Sequence, residues 1–465
     1  MIKRSLKDIE RMVKGHGLDE KNQNLWIEGV STDTRTIKAN QLYIPIKGER
    51  FNGHDFIEEA IKKGAGAVLC NKDESAKRRD FPFIFVDDTL LAIQELAIEY
   101  RKELPVKIIG ITGSNGKTST KDILASILNT KYKTHKTLGN LNNHLGVPLT
   151  LLQMEEDTEI AVIEMGMSAL GEIETLSNVA LPDIAVITNS TDVHIDTLGS
   201  VENILKAKLE ITAGLKDDGL LVYLGDSLSL HKGIENLKLT QRKETFGTKL
   251  NNDYVVRFTS IKKNGICFEL KKPVYRNFFL SMFGKHQIYN GAAAVAVARY
   301  LNVPYELIEQ GLSMVDSTGM RNELVHGLGF DILNDAYKSN AISLRAALET
   351  IYSFKDYKKK IVVLGDMIGT GENEVKIHEQ IGEDIRQDEI DYVFTIGELA
   401  QYIGVKSKVK LGDRKVFSFN NKKDLLKKLK EVISKDTIVL VKGSRGLYLE
   451  EVVDNLKDFV PKIPS

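Results

Sequence analysis

Gly110-Ile-Thr-Gly-Ser-Asn-Gly-Lys-Thr-Ser sets three glycines, a lysine and four hydroxyl residues in ten positions. Glycines let successive backbone N–H groups turn toward one anion, and a helix N-terminus adds partial positive charge. The chemistry this suits is polyphosphate binding. Thr112, Gly113, Ser114, Asn115, Gly116 and Ser119 would wrap the phosphates, Lys117 would reach the terminal ones, and Thr118 would hold Mg²⁺. The spacing departs from G-x-x-x-x-G-K-[ST], which would put its first glycine at Ile111 instead of Gly110. This is a variant loop, and a chance turn is the bland alternative.

Three further residues could join it. Glu164 ends the apolar run Ile160-Ala-Val-Ile, where a carboxylate can take the nucleotide's Mg²⁺ or simply lie at a surface. His194 follows the run Ile184-Ala-Val-Ile, where it could be a metal ligand, a phosphate contact or a solvated loop histidine. Ser200 is a plausible cap for a helix over Val201 to Leu215. Lys208 falls on the apolar stripe of Val201, Ile204, Ile211 and Leu215, while Lys206 falls on the polar side. A lysine turned inward has a lowered pKa. Its neutral amine could take up CO₂ as a carbamate, a metal ligand; a snorkelling stem or a buried salt bridge remains open.

Such residues need a scaffold. Val106–Thr112 reads as a buried strand running into the loop, and Lys117 to Leu128 as the helix after it, with Ile123, Leu124, Ile127 and Leu128 at helical spacing. The two Ile-Ala-Val-Ile runs read as parallel strands whose carboxyl ends face one site. Asn264-Gly265 reads as a hairpin turn. Before this unit, Leu42-Tyr-Ile-Pro-Ile and Ala67-Val-Leu read as short strands, and Asp55 to Lys63 as a helix ending at Gly64. After it, Phe330-Asp-Ile-Leu, Ile361-Val-Val-Leu, Tyr392–Ile396, Val416–Phe419 and Ile438-Val-Leu-Val alternate with helical segments, the pattern of a doubly wound sheet. The expected fold is α/β in three units: 1–103 small α/β, 104–315 a mostly parallel P-loop sheet, and 316–465 a Rossmann-like sheet.

Composition narrows the class. With 64 basic against 64 acidic residues the chain is neutral, which argues against a nucleic-acid binder. No apolar run approaches ~18 residues, so no membrane span is expected, and the start has no secretory pattern. Cys70 and Cys267 stand alone, which suits a reducing cytoplasm and gives no zinc motif.

In order along nearly the whole chain, these segments resemble the Mur ligase family, ATP-dependent amino-acid and peptide ligases of bacterial cell-wall precursor synthesis. Gly113-Ser-Asn-Gly-Lys-Thr matches that family's phosphate loop and accounts for the shifted glycine. Glu164 and His194 match its metal and phosphate positions, and Ala207-Lys208 its carbamylated lysine. Gly284-Lys-His-Gln-Ile-Tyr-Asn290, with His286 and Asn290, resembles the segment beside the adenine. Arg321 and Asp335 match ATP contacts from the third unit, although Asp335 could also be a helix cap. Gly139-Asn-Leu-Asn-Asn143, Asn334-Asp-Ala-Tyr337, Leu364-Gly-Asp-Met367 and Val441-Lys-Gly-Ser-Arg445 point to the dipeptide-adding branch. Lys338, Ser339, Ala341 and Gln287 depart from the residues common there, and Leu224-Gly-Asp226 replaces an Asn-x-Asp pattern.

The resemblance implies that the first unit binds a UDP-sugar-peptide, the second ATP and the third an incoming dipeptide. The substrates would be UDP-MurNAc-tripeptide and D-Ala-D-Ala, joined through an acyl phosphate by a cytoplasmic monomer. It assigns Thr34, Arg35, Lys47 and His54 to the uridine nucleotide, Asn140, Asn142 and Asn143 to the substrate, and Asn340, Ser444 and Arg445 to the dipeptide. Two Mg²⁺ ions are implied, one on Thr118 and Glu164, one on Glu164, His194 and the carbamate of Lys208. Competing readings are a sister ligase adding one amino acid, a folate ligase, a P-loop ATPase that switches conformation without ligation, and a catalytically dead binding protein. The diaminopimelate-adding sisters carry Asp-Asn-Pro-Arg, absent here.

Overall fold

Apolar runs without alternation become parallel strands covered on both faces, because each face needs an apolar partner. The computed structural model describes residues 1–74, 80–191, 195–369 and 373–461. Its largest sheet has nine strands in the order Arg276–Leu280, Gly265–Lys272, Tyr254–Lys262, Arg242–Gly247, Leu220–Leu224, Ile184–Ile187, Lys107–Thr112, Ile160–Glu164, Thr134–Lys136. Pairing is parallel from Thr134–Lys136 through Tyr254–Lys262, and the last two strands are antiparallel. The strand Lys107–Thr112 lies between Ile184–Ile187 and Ile160–Glu164, so the carboxyl ends of all three open on one site. The hairpin turn is Lys263-Asn264, one residue earlier than expected, because Lys262 pairs with Gly265.

The C-terminal sheet has six strands: Glu323–His326, Asp331–Asp335, Thr437–Lys442, Lys359–Gly365, Tyr392–Ile396, Val416–Phe419. The first is an antiparallel edge strand that the sequence reading missed. Its Glu-Leu-Val-His run is only four residues long and never fully buried, too short for a periodicity signal. Helices cover both faces, with Ala341–Ser353, Glu374–Asp384 and Ala400–Leu411 on one side, and Lys422–Val432 and Glu450–Lys457 on the other.

The N-terminal region holds a parallel four-stranded sheet, Val30–Ser31, Leu42–Tyr43, Ala67–Asn71 and Phe83–Val86. Pro45 lacks an N–H, and the second strand closes at Tyr43, shorter than expected. The expected helix from Asp55 starts as a 3₁₀ turn, Gly53–Phe56, and is α-helical over Ile57–Lys62. Tyr43, Ala60, Val68, Cys70 and Phe83 form a small core within this region, and a second, larger core is shared with the central unit. Ile2, Leu6 and Tyr100 belong to the same apolar cluster as Leu151 and Met154. The Ile2 N–H donates to Leu152 O at 2.8 Å, and Tyr100 Oη donates to Met154 O at 2.9 Å.

Candidate functional site

The strand Lys107–Thr112 is buried from its second residue, and Lys117–Leu128 is a helix as expected. Between them the loop turns at Gly113 (φ +146°) and Gly116 (φ +83°), backbone that side chains resist. A Cβ on Gly113 would meet Thr188 Oγ1 at 1.9 Å, and one on Gly116 would meet Asn290 Oδ1 at 2.5 Å. The polar residues after the strand Ile184–Ile187 brace the loop. Asn115 N–H donates to Asn189 Oδ1 at 3.0 Å, Thr188 Oγ1 donates to Asn115 O at 2.6 Å, and Ser114 Oγ donates to Thr191 O at 2.9 Å. Thr188, Asn189 and Thr191 were not among the expected site residues; their signal was the polar run directly after a buried strand. Thr112 Oγ1 ties the loop's entry to Met165 O at 3.0 Å, and Ser119 is buried in the first helical turn.

Lys117 Nζ donates to Gly113 O at 2.6 Å, folding back over the loop. Burial pulls its pKa down to about 8, and the charges of Lys338 and Arg321 push the same way, partly offset by Glu164. Glu164 is 2% exposed and accepts from Thr118 Oγ1 at 2.8 Å through Oε2 and from Asn142 Nδ2 at 2.8 Å through Oε1. Thr118 and Glu164, distant in sequence, thus form one hard-oxygen pair of the kind Mg²⁺ takes.

Lys208 is buried and Lys206 exposed, as the stripe implied. The helix itself is shorter than expected. It is α-helical over Val201–Leu209, with a 3₁₀ turn at Glu210–Thr212, so Ile211 and Leu215 do not continue one α-helical face, and Val201 is exposed. Ser200 caps it, accepting from Asn203 N–H at 3.1 Å. Burial first, then the charges of Lys117 and Lys338, hold the Lys208 amine well below the usual lysine range; Glu210 and Glu172 oppose this through charge alone. His194 lies outside the described residues. Among the described residues no three His, Cys, Asp or Glu side chains gather at metal-binding spacing.

The C-terminal unit reaches the loop. Asn340 Nδ2 donates to Asn115 Oδ1 at 3.0 Å. Arg321 lies over the Tyr337 ring at 4.2 Å, and its Nε is buried with no partner among the described residues. Asp335 is not a helix cap. It pairs with Lys442 Nζ at 2.6 Å and accepts from Asn322 N–H at 3.2 Å, while Asn340 and Ser343 form the capping box of Ala341–Ser353. Burial lowers the His286 pKa, with Asp335 opposing the shift. Beside His286 a cavity of about 830 Å³ opens between Val255–Phe258 and Lys285–Tyr289 of the central sheet's domain and Ala346 and Glu349 of the C-terminal one. Asn290 is held within the fold. It accepts from Thr120 Oγ1 at 3.2 Å and donates to Gln287 Oε1 at 2.7 Å.

Several expected substrate residues have partners within the fold. Asn142 holds Glu164. Asn143 Oδ1 accepts from Gly146 N–H at 2.8 Å at the start of the helix Gly146–Leu152. Ser444 Oγ accepts from Ile368 N–H at 2.9 Å, and Arg445 pairs with Glu450 at 2.5 Å. In the N-terminal region Thr34 Oγ1 donates to Glu59 at 3.1 Å, and Arg35 pairs with Asp33 at 2.6 Å. His54 is buried, with Nδ1 at 2.8 Å from Asn52 Oδ1 and Nε2 accepting from Asn71 N–H at 3.2 Å. Lys47 and Asn140 remain exposed.

Comparison with known proteins places this geometry among ligases. Residues 26–101 match the Mur ligase family, catalytic domain, residues 111–298 the Mur ligase middle domain, and residues 320–445 the Mur ligase, glutamate ligase domain. The chain is 46% identical to the UDP-N-acetylmuramoyl-tripeptide–D-alanyl-D-alanine ligase of Bacillus subtilis over 98% of this chain and 99% of that one. A crystal structure of MurF from Acinetobacter baumannii superposes with a TM-score of 0.89 at 26% identity, covering 98% of this chain and 99% of that one. The MurF ligase of Thermotoga maritima in complex with ADP superposes with a TM-score of 0.80 at 27% identity, covering 92% and 97%.

Proposed function

The chain belongs to the Mur ligase family, and we propose that it joins D-alanyl-D-alanine to UDP-MurNAc-tripeptide at the cost of ATP, giving UDP-MurNAc-pentapeptide, ADP and phosphate in peptidoglycan precursor synthesis. The observation that carries this reading is the 46% identity along the full length of a ligase of that name. The local geometry supports it. A braced phosphate loop faces cations from a second unit, as phosphoryl transfer between two anions requires.

A carboxylate resists attack by an amine because oxide is a poor leaving group. A carboxylate oxygen of the tripeptide attacks the γ-phosphorus, and the bond from that phosphorus to the ADP oxygen breaks. The dipeptide amine then attacks the acyl phosphate carbon. The new C–N bond forms as the C–O bond to phosphate breaks, and the amine gives up a proton. Lys117 lies on the loop where terminal phosphates would sit, and Arg321 and Lys338 add positive charge from the C-terminal unit. Positioning and charge neutralisation are most of what such a transfer needs. The cavity of about 830 Å³ beside His286 is where this reading places the base of ATP.

The buried Thr118–Glu164 oxygen pair fits Mg²⁺, which when bound would neutralise phosphate charge there. Lys208 fits carbamylation for a different reason. Burial and the neighbouring cations lower its pKa and so favour the neutral amine, and CO₂ addition to that amine releases one proton and leaves an anion among the cations. Glu164, His194 and that carbamate would hold a second ion. The N-terminal unit, residues 1–103, takes the UDP-sugar-peptide, with Lys47 its exposed candidate, and Asn140 is an exposed candidate from the central unit. The C-terminal unit, residues 316–465, takes the dipeptide. Among the described residues no helix is long and apolar enough to cross a membrane; we place the enzyme in the cytoplasm as a monomer.

The test is phosphate release from ATP and Mg²⁺ with UDP-MurNAc-tripeptide, with and without D-Ala-D-Ala, with mass spectrometry of the product. Release that depends on both acceptor and tripeptide, matched by pentapeptide, is expected. Release indifferent to D-Ala-D-Ala overturns this reading in favour of a sister ligase or an ATPase switch.

A further inference from the structure

The phosphate-loop helix carries two charged residues that the reaction above does not use. Lys121 and Asp122 are 0% and 1% exposed. They lie one helical turn after Lys117 and Thr118, and so on the same sides of the helix as those residues. Their partners lie on the segment that leads into the C-terminal unit and at the end of the strand Thr134–Lys136. Asp122 Oδ2 accepts from Thr318 N–H at 2.7 Å, and Oδ1 accepts from Lys136 Nζ at 2.9 Å. Lys136 also donates to Asp316 O at 3.2 Å. Lys121 donates to Thr137 O at 2.9 Å and to Thr318 Oγ1 at 3.3 Å. Thr137 Oγ1 in turn accepts from Glu164 N–H at 2.9 Å.

One cluster therefore ties together the loop helix, the strand that presents Glu164, and the connecting segment at 316–318. Three residues beyond Thr318 is Arg321, and the next N–H, that of Asn322, binds Asp335. Buried ionic groups add little stability over apolar residues of the same volume; what they can supply is a defined register. We propose that Asp122 is a positioning residue for the ligation: by holding the Thr318 N–H it sets the connecting segment, and with it Arg321 and the 335–340 stretch, against the phosphate loop. The inference rests on the ligase reading for its kinetic consequence but not for its structural one. Nucleotide binding to the loop itself does not need the clamp, since Lys117 and Thr118 stand on the helix. Phosphoryl transfer does, because it needs charges from both units at one point.

The experiment uses the full-length enzyme and Asp122→Asn, which keeps the volume and removes the charge that faces Lys121 and Lys136. Hydrogen exchange followed by mass spectrometry reads peptides spanning 316–320 without any ligand. Exchange there is expected to rise about tenfold while the rest of the central sheet stays protected. Steady-state kinetics are expected to show kcat lower by roughly tenfold to a hundredfold, with the KM for ATP within about twofold. A merely structural role would destabilise the fold without that split. Unchanged exchange at 316–320, or wild-type kcat in folded protein, overturns the proposal. Thr318→Pro, which removes the N–H that Asp122 holds and leaves the charges of Lys121, Asp122 and Lys136 in place, decides the matter if Asp122→Asn does not fold: faster exchange at 316–320 with lower kcat supports the clamp, and no change in either overturns it. Absence of pentapeptide formation by the unaltered enzyme would instead refute the ligase reading, leaving the exchange result to stand alone.

Discussion

Asn340 bonds Asn115 across 225 positions of sequence: its Nδ2 donates to Asn115 Oδ1 at 3.0 Å, while its own Oδ1 caps the helix Ala341–Ser353 by accepting from Ser343 N–H at 2.9 Å. One side chain therefore both starts a helix of the C-terminal unit and fastens that helix to the phosphate loop.

The two roles separate by substitution. Asn340→Asp keeps a cap acceptor but loses the donor and brings an anion to the loop. We expect near wild-type thermal stability and a raised KM for ATP. Asn340→Ala should also lose about 1 kcal/mol of stability, as caps do. Equal KM values for wild type and Asn340→Asp would show that the introduced carboxylate does not meet the bound phosphates.

Lys117 makes nucleotide binding depend on pH in a defined direction. Its pKa is about 8 in the folded protein against an ordinary 10.5, mainly through burial. Below pH 8 the lysine is charged in both folded and unfolded chains, and its burial penalty is fully present. The penalty fades as pH rises from about 8 toward 10.5. A bound polyphosphate favours the charged form, so binding of an ATP analogue above pH 8 should take up protons, and affinity should fall as pH rises. Calorimetry in buffers of different ionisation enthalpy reads the uptake. Proton release on binding would contradict this placement of Lys117. Lys117→Ala should lower kcat at least about a hundredfold.

Lys208→Ala should abolish ligation, with partial recovery on adding short carboxylates that stand in for a carbamate. A readout independent of turnover is labelling with isotopically enriched carbon dioxide. The unaltered protein should give a carbamate carbon signal by NMR, and Lys208→Ala should not. The same signal in both proteins, or full activity of the variant, would remove Lys208 from the site.

The buried pair Asp335–Lys442 sets a stability test. Lys442 is 1% exposed, and besides Asp335 it donates to Lys338 O at 2.8 Å. Lys442→Met leaves the Asp335 carboxylate buried without its cation, which should destabilise the C-terminal unit by roughly 3–5 kcal/mol. Thermal melts would show this, and an unchanged melt would mean that water reaches Asp335 and replaces the lysine.

Much of the site was legible because it is local. The phosphate loop and its helix are contiguous, and their glycines, lysine and threonine announce a backbone that only those residues allow. Lys208 was legible through helical period, because Ile204, four residues earlier, is buried and carries Lys208 inward with it. What failed did so at element ends. The stripe extended to Leu215 where the helix tightens to a 3₁₀ turn, and Glu323–His326 was too short to read.

Residue order and type alone specify the strand-loop-helix, the alternating elements of the C-terminal sheet and, through the motifs, the family. Tertiary structure alone decided who meets whom. It set Thr118 on Glu164 and Asp335 on Lys442 instead of at a helix cap. It turned Asn142, Asn143, Ser444 and Arg445 to partners within the fold. The physical reason is that a side chain's type fixes what it can bond, whereas its partner depends on which distant strand ends and helix starts the packed sheets bring within about 3 Å.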